Sequence, residues 1–556
     1  MTQQDEQKAY EERLRHRLEI LRKTFEEGNI SIPNDPHIVE SIMAVKYGPD
    51  GEIDLETANS TVRSLALAVT VMHDREELKK AFPLNEIQDT YFKFIERNFG
   101  HYHKIMVDRG LTPHDAGLAL SRKEETINSI TSTIPEFVDV IVRFWEEVGE
   151  AASIHIEDMH DSLKGIFGGD LFPSHSENIA SKCGIYTDTI VLPDPFLRSK
   201  DLFKLWPKEN QAYYFIKHAM NLLQYKKLAC ADIEKPIVVI LPDRGALEEQ
   251  EREFLTNLGQ KDSLEHAAKI FHRNFTSFDE LMEFAYTLDS IEKVVAELKD
   301  KTRVLFDTEW DGDISEQIKE AMEGQSGQLL GTNHPGVIVA TTALGRMTAS
   351  NEILIKARRL HATPIIDAPT SWIYFNWKLE YDAGKAEEES GEKNLHILRG
   401  LQSLSQTEMQ WLGKVPIAAL IEIRKSGALD EIRSILGTGV EEIARANPTN
   451  FHRTTDQVFE NIDHAFELHK EKIKELSQKK WKFAGSDVAS WLVVGSLEIA
   501  AAATGLPVWG LASIAANQVL DMPKLKDIPA SIKELAEENQ KLKLSPVGML
   551  FKYSQK

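Results

Sequence analysis

Four aspartates that follow four short apolar runs are the strongest chemical signal in this chain. Ile190-Val191-Leu192-Pro193 ends in Asp194, and Val239-Ile240-Leu241-Pro242 ends in Asp243. Val304-Leu305-Phe306 ends in Asp307, and Pro364-Ile365-Ile366 in Asp367. If each run is a strand of one parallel sheet, all four carboxylates reach its carboxyl edge, where such sheets hold ligands near a topological switch point. Converging carboxylates are hard oxygen donors suited to Mg²⁺ or Mn²⁺. A cation held there positions water for phosphoester hydrolysis, with Glu309 or Asp311 orienting the water. The competing reading is turn chemistry, because an Asp after a strand also caps the next helix by accepting its free N–H groups. Geometry separates the two: a metal site needs at least three of these carboxylates around one pocket.

The densest acidic group, Asp307-Thr308-Glu309-Trp310-Asp311-Gly312-Asp313, partly follows calcium-loop spacing. Glu309 stands where that pattern has Asp or Asn, and Ile318 replaces the closing bidentate Glu. A carboxylate-rich loop or a cap for the helix starting at Ile314 fits better. Asp367 leads into an aromatic stretch of Trp372, Tyr374, Phe375 and Trp377, read as a packed helix face with base stacking as the alternative. Arg346, Arg358 and Arg359 bring positive charge to the same region. His155 and His160 are not spaced as a zinc-helix pair, which takes i and i+4. The P-loop pattern, the G-x-G-x-x-G fingerprint of NAD and FAD folds, and the G-x-S-x-G elbow of serine hydrolases are all absent.

These residues need elements to hold them. Residues 1–150 read as helical, including Ala58–His73 as a buried helix, Glu86–Phe99 and Lys123–Gly149. From about residue 180, β-branched runs alternate with amphipathic stretches: Thr187–Leu192, Pro236–Leu241, Arg303–Phe306, Gly336–Ala340 and Thr363–Ile366. That alternation is the signature of an α/β fold, a central mostly parallel sheet covered by helices. The expected organisation is a helical N-terminal region (1–150), an α/β domain (151–385) and a helical C-terminal region (386–556). Asp382–Asn394 reads as a solvated loop or linker, Val415–Leu436 as a helical pattern and Thr455–Lys480 as a long charged helix.

Val488–Leu520 is rich in Gly and Ala, carries a single charged residue, Glu498, and is broken by Gly505-Leu506-Pro507. Neither half reaches the roughly 20 apolar residues of a spanning helix. A packed hairpin is the expectation, and a conditionally membrane-active hairpin the alternative. At the other end, Tyr10, Leu14, Leu18, Leu21 and Phe25 line one face of a charged helix, without the apolar stretch of a secretory signal. A cytoplasmic protein is expected.

Composition narrows the classes further. The 556 residues hold 87 Asp and Glu against 65 Lys and Arg, a formal charge of −22, which argues against a broad nucleic-acid coat. The 2 cysteines, Cys183 and Cys230, lie far apart and exclude a disulfide framework or thiolate zinc site. The leading functional expectation is a metal-dependent phosphoesterase or nuclease-like hydrolase. The alternatives are a non-catalytic interaction or regulatory protein, such as a subunit of a bacterial stress or phage-defence system, and a membrane-acting effector working through 488–520. A protein partner or homo-oligomer accompanies the second.

Overall fold

The computed structural model describes residues 3–28, 36–49, 51–169, 178–324, 327, 331–383, 392–403, 415–446 and 451–478, with short pieces at 482–483, 486–487, 541 and 545–546. The apolar segment 488–520 lies outside them. The chain divides into two compact units, Met1–Ile87 with Phe144–Met159, and Gln88–Arg143 with His160–Lys556.

The first unit is built from α1 (Gln3–Glu26), α2 (Pro36–Met43), α3 (Ser60–Ala81) and the end of a longer helix. Leu14, Leu18 and Leu21, spaced at helical period on α1, bury against Val62, Ala66 and Val69 of α3. Asn59 starts α3 by accepting a 3.1 Å bond from the Val62 N–H. The expectation that Ala58–His73 is buried holds for one face only: Leu67, Val71 and Met72 are exposed. A long apolar run does not reveal which of its faces has a neighbour.

The second unit contains the sheet. Helices α4 (Leu84–Asp108), α5 (Pro113–Leu120) and α6 (Glu124–Glu157) precede β1 (Lys164–Phe167). There follow α7 (Ile179–Cys183), β2 (Thr189–Pro193), α8 (Pro195–Arg198), α9 (Leu202–Leu205), α10 (Lys208–Ala229) and β3 (Val238–Leu241). Then come α11 (Arg244–Leu247), α12 (Glu249–Phe271), α13 (Phe278–Thr287), α14 (Ile291–Glu297), α15 (Ile314–Glu323) and α16 (Pro335–Leu360). The chain returns to the sheet in β4 (Ala362–Ile365) and leaves through α17 (Pro369–Ala383).

All pairings in the four-stranded sheet are parallel, in the order β3-β2-β1-β4. Lys164 stands opposite Thr189 on one side and Ala362 on the other, and Pro193 opposite Leu241. The chain steps outward from β1 to β2 to β3, then returns to the far side of β1. The switch point therefore lies between β1 and β4. Strands β1 and β3 are buried throughout, as parallel strands covered on both faces must be.

The α/β expectation holds in a coarser form: helices dominate and the sheet is small. Two expected strands are not strands. Arg303–Phe306 is a 3₁₀ turn, Lys301–Arg303, followed by irregular chain, and Gly336–Ala340 is the first part of α16. A short continuous apolar run reads the same in a buried strand and a buried helix. Here Pro335 at the first helical position and α12 alongside settle it as helix. Gly259 of α12 lets that pair approach closely, since a Cβ there would overlap Thr348 of α16. Conversely, β1 escapes the periodicity reading because Lys164-Gly165-Ile166-Phe167 is too short and mixed to register.

Beyond α17, α18 (Glu392–Ser403), α19 (Ile417–Ser426), α20 (Leu429–Gly437), α21 (Val440–Ala446) and α22 (Phe451–Gln478) form the helical remainder. Ile397 and Leu401 of α18 and Val458 and Ile462 of α22 are all buried there. The expected Val415–Leu436 pattern breaks at Gly427 into two helices. Among the described residues no helix is long and apolar enough to cross a membrane.

Candidate functional site

Of the four aspartates, Asp194 and Asp243 follow β2 and β3, whereas Asp367 follows β4 and Asp307 follows no strand. Asp194 ends β2 and is fully buried. Its Oδ1 accepts from the N–H groups of Phe196 at 2.8 Å and Leu197 at 3.1 Å, capping α8. The buried Tyr91 hydroxyl faces the same carboxylate, and burial with that charge raises the phenol pKa well above its usual value. Asp194 is thus committed to local structure.

Asp243, just past β3, stands at the N-cap position of α11 but makes no cap bond. Its carboxylate instead meets Arg198 Nη1 at 3.3 Å and Lys356 Nζ at 3.1 Å. Arg198 also donates 2.9 and 3.1 Å bonds to the two oxygens of Glu352, which pairs in turn with Lys356. Burial alone would raise the Asp243 pKa; Lys356 and Arg198 outweigh it and hold the carboxyl below its ordinary range. This set of two acids and two bases ties α8, α11 and α16 together.

The other two aspartates lie on the β4 side. Asp367 lies two residues past the end of β4 and is half-buried. It receives the Lys182 ammonium at 3.1 and 3.3 Å. Two residues later α17 begins, and an α-helix leaves its first N–H groups without partners inside the helix. Asp307 reaches the same turn from another part of the chain. Its Oδ1 accepts from the Glu309 N–H at 2.9 Å and stands 3.5 Å from Thr370 Oγ1. Thr370 Oγ1 also accepts from the Thr308 N–H at 3.0 Å. Arg346, noted above for its charge, donates to Ser371 Oγ at 2.8 Å.

Around this turn, Arg399 and Gln402 of α18 donate to the Ile366 carbonyl at 3.4 and 3.3 Å. The Arg399 guanidinium lies 4.7 Å from the Trp372 ring centroid. Burial lowers its pKa and Asp367 acts in the opposite direction. On the β1 side the chain turns at Gly168-Gly169. Gly169 has φ of +80°, and a Cβ there would lie 2.9 Å from Ile366 Cγ1. Both the backbone angle and the close approach require glycine. Residues 170–177, which follow, lie outside the described residues. The carboxyl edge at the switch point is therefore bordered by a glycine turn on one strand and by an aspartate and a helix start on the other.

Glu309 and Asp311, assigned above to orienting water, are both exposed. Asp313 closes the loop by capping α15 in a reciprocal capping box with Glu316, as its turn reading expects. Among the described residues no group of three or more His, Cys, Asp and Glu side chains is arranged to hold a metal ion. The aromatic stretch is a packed face, with Trp372, Tyr374 and Phe375 buried.

Lys182, Arg399 and Gln402 carry no signal in the sequence that ties them to this turn, whereas Thr370 and Ser371 stand in the run that leads from Asp367 into the aromatic stretch. The pair Gly168-Gly169 was a legible signal for this edge, but only to a reader who had identified β1. The chain matches no protein-family model, no curated protein and no solved structure.

Proposed function

We propose that the protein binds a phosphate-bearing small molecule at the carboxyl edge of its sheet, between β1 and β4. The observation that carries this reading is the packing of the glycine turn after β1 against Ile366, three residues before α17 begins, at the topological switch point. Ligands of open parallel sheets collect at this position. The N–H groups and dipole of a helix start favour an anion there. In this reading the first turn of α17, with the Thr370 and Ser371 hydroxyls, receives phosphate oxygens, and Arg346 and Lys182 supply positive charge.

The hydrolytic expectation is carried forward on Asp307 and Asp367 alone. Asp307 reaches Thr370 and Asp367 precedes the same turn, so a Mg²⁺ or Mn²⁺ ion brought in with a phosphoester would find its protein oxygens there. Asp194 and Asp243 take no part, because they follow β2 and β3 rather than β4.

The test is thermal denaturation of the full chain with nucleotides, sugar phosphates and inorganic phosphate, each with Mg²⁺, Mn²⁺ or chelator. A ligand at a hundredfold excess over its Kd stabilises by about 2.7 kcal/mol, a readily measured rise in Tm. Arg346→Met and Ser371→Ala should abolish the rise, and Asp367→Asn should abolish any metal-dependent release of phosphate. If no phosphate compound stabilises the wild type at millimolar concentration, the proposal fails.

A further inference from the structure

A cavity of about 460 Å³ lies among α4, α7, α10 and the start of α19. Its volume is in the range of small-molecule pockets, roughly 300–1,000 Å³. One wall is apolar, formed by Leu223 of α10 with Val415 and Ile417 beside α19. Leu223 and Val415 are buried and Ile417 half-buried. The polar end carries His103 of α4 and Lys227 of α10. The His103 Nε2 atom is buried and meets no protein partner. Burying a ring nitrogen without a hydrogen bond is unfavourable, so this atom is suited to a ligand's polar group.

We propose that this cavity binds a medium-chain monocarboxylate, its tail along Leu223, Val415 and Ile417 and its carboxylate between Lys227 and His103. The charge count favours a monoanion. Lys227 is the only ionised side chain among the described lining residues, none of which is Asp or Glu. Burial lowers the His103 pKa; Glu96 opposes this and Lys227 adds to it. The imidazole is therefore neutral near pH 7 and contributes a hydrogen bond rather than a second charge. A phosphate dianion would find one cation and an apolar wall, a poor match on both counts. The cavity shares no lining residue with the β1/β4 edge, although Ser181 in its wall precedes Lys182 in the chain.

The experiment is calorimetric titration of octanoate into the full chain, with octan-1-ol and octylamine as controls. Octanoate is expected to bind saturably at a 1:1 ratio. Lys227→Gln, an exposed substitution, should weaken it by about tenfold through loss of a charge-assisted hydrogen bond. Ile417→Trp should fill the cavity and abolish binding while the melting temperature stays near that of the wild type. Arg346→Met should leave octanoate binding unchanged, which separates this result from failure of the phosphate site. Absence of saturable binding, octylamine binding as tightly as octanoate, or unaltered affinity in both cavity variants would each overturn the proposal.

Discussion

Asp243→Asn tests whether this aspartate serves the fold or a metal ion. The side chains of Asp243, Arg198, Glu352 and Lys356 are 8%, 11%, 15% and 18% exposed, so water screens the set poorly. Arg198 and Lys356 balance Asp243 and Glu352. Replacing one carboxylate by an amide leaves a positive charge in a confined place without its counterpart. Removing one partner of a buried ion pair typically costs about 3–5 kcal/mol. We expect a loss near the lower figure, because the amide oxygen still accepts a hydrogen bond. Urea denaturation at pH 7, followed by circular dichroism, measures it as a fall in midpoint at constant slope. In the double variant Asp243→Asn/Lys356→Met, where Arg198 and Glu352 remain as a balanced pair, the combined loss should be smaller than the sum of the single losses by about 1–3 kcal/mol. Acid gives a second readout. A carboxyl depressed in the folded state adds stability above its unfolded pKa, and that stability disappears as pH falls through the folded value. The gap between wild type and variant should therefore be full at pH 6 and narrow below about 3.8. A variant loss under 1 kcal/mol, strictly additive double variants, or a gap that widens in acid would refute the structural account of Asp243.

Two further predictions rest on packing and burial. His266 donates from Nε2 to the Arg303 carbonyl at 2.9 Å and meets the Tyr381 hydroxyl at 2.6 Å through Nδ1. Burial, only partly offset by that carbonyl, lowers its pKa from 6.5 to about 4. Stability from this group is present above pH 6.5 and declines toward pH 4, by about 3 kcal/mol in all; His266→Phe should flatten that slope, and an unchanged pH profile would contradict it. Gly259→Ala improves helix propensity by about 1 kcal/mol, yet its Cβ overlaps Thr348. A net destabilisation of about 1–3 kcal/mol is expected by urea denaturation, whereas a more stable variant would show that α12 and α16 separate freely.

Much that the sequence determined is local. Asp194 and Asp313 cap helices beginning one residue later, because a cap needs only the N–H groups two and three positions onward. The periodicity of Leu14, Leu18 and Leu21 placed one face of α1 in a core, and alternating apolar runs and helices predicted parallel strands at β2, β3 and β4. What failed were the short segments whose state depends on neighbours. Gly336–Ala340 became helix beside α12, and Lys164–Phe167 became the strand on which the switch point turns.

Convergence was beyond the sequence altogether. Four Asp residues at the ends of apolar runs look equivalent along the chain, but Asp194 and Asp243 follow β2 and β3, Asp307 stands beside the Thr370 hydroxyl, and Asp367 is held by Lys182. Arg198 finds Glu352 across 154 residues, and Lys182 finds Asp367 across 185. Local hydrogen bonding sets caps and turns within a few residues of chain. Strand order and the partner of each charge are set by which buried faces pack together, and only the tertiary structure decides that.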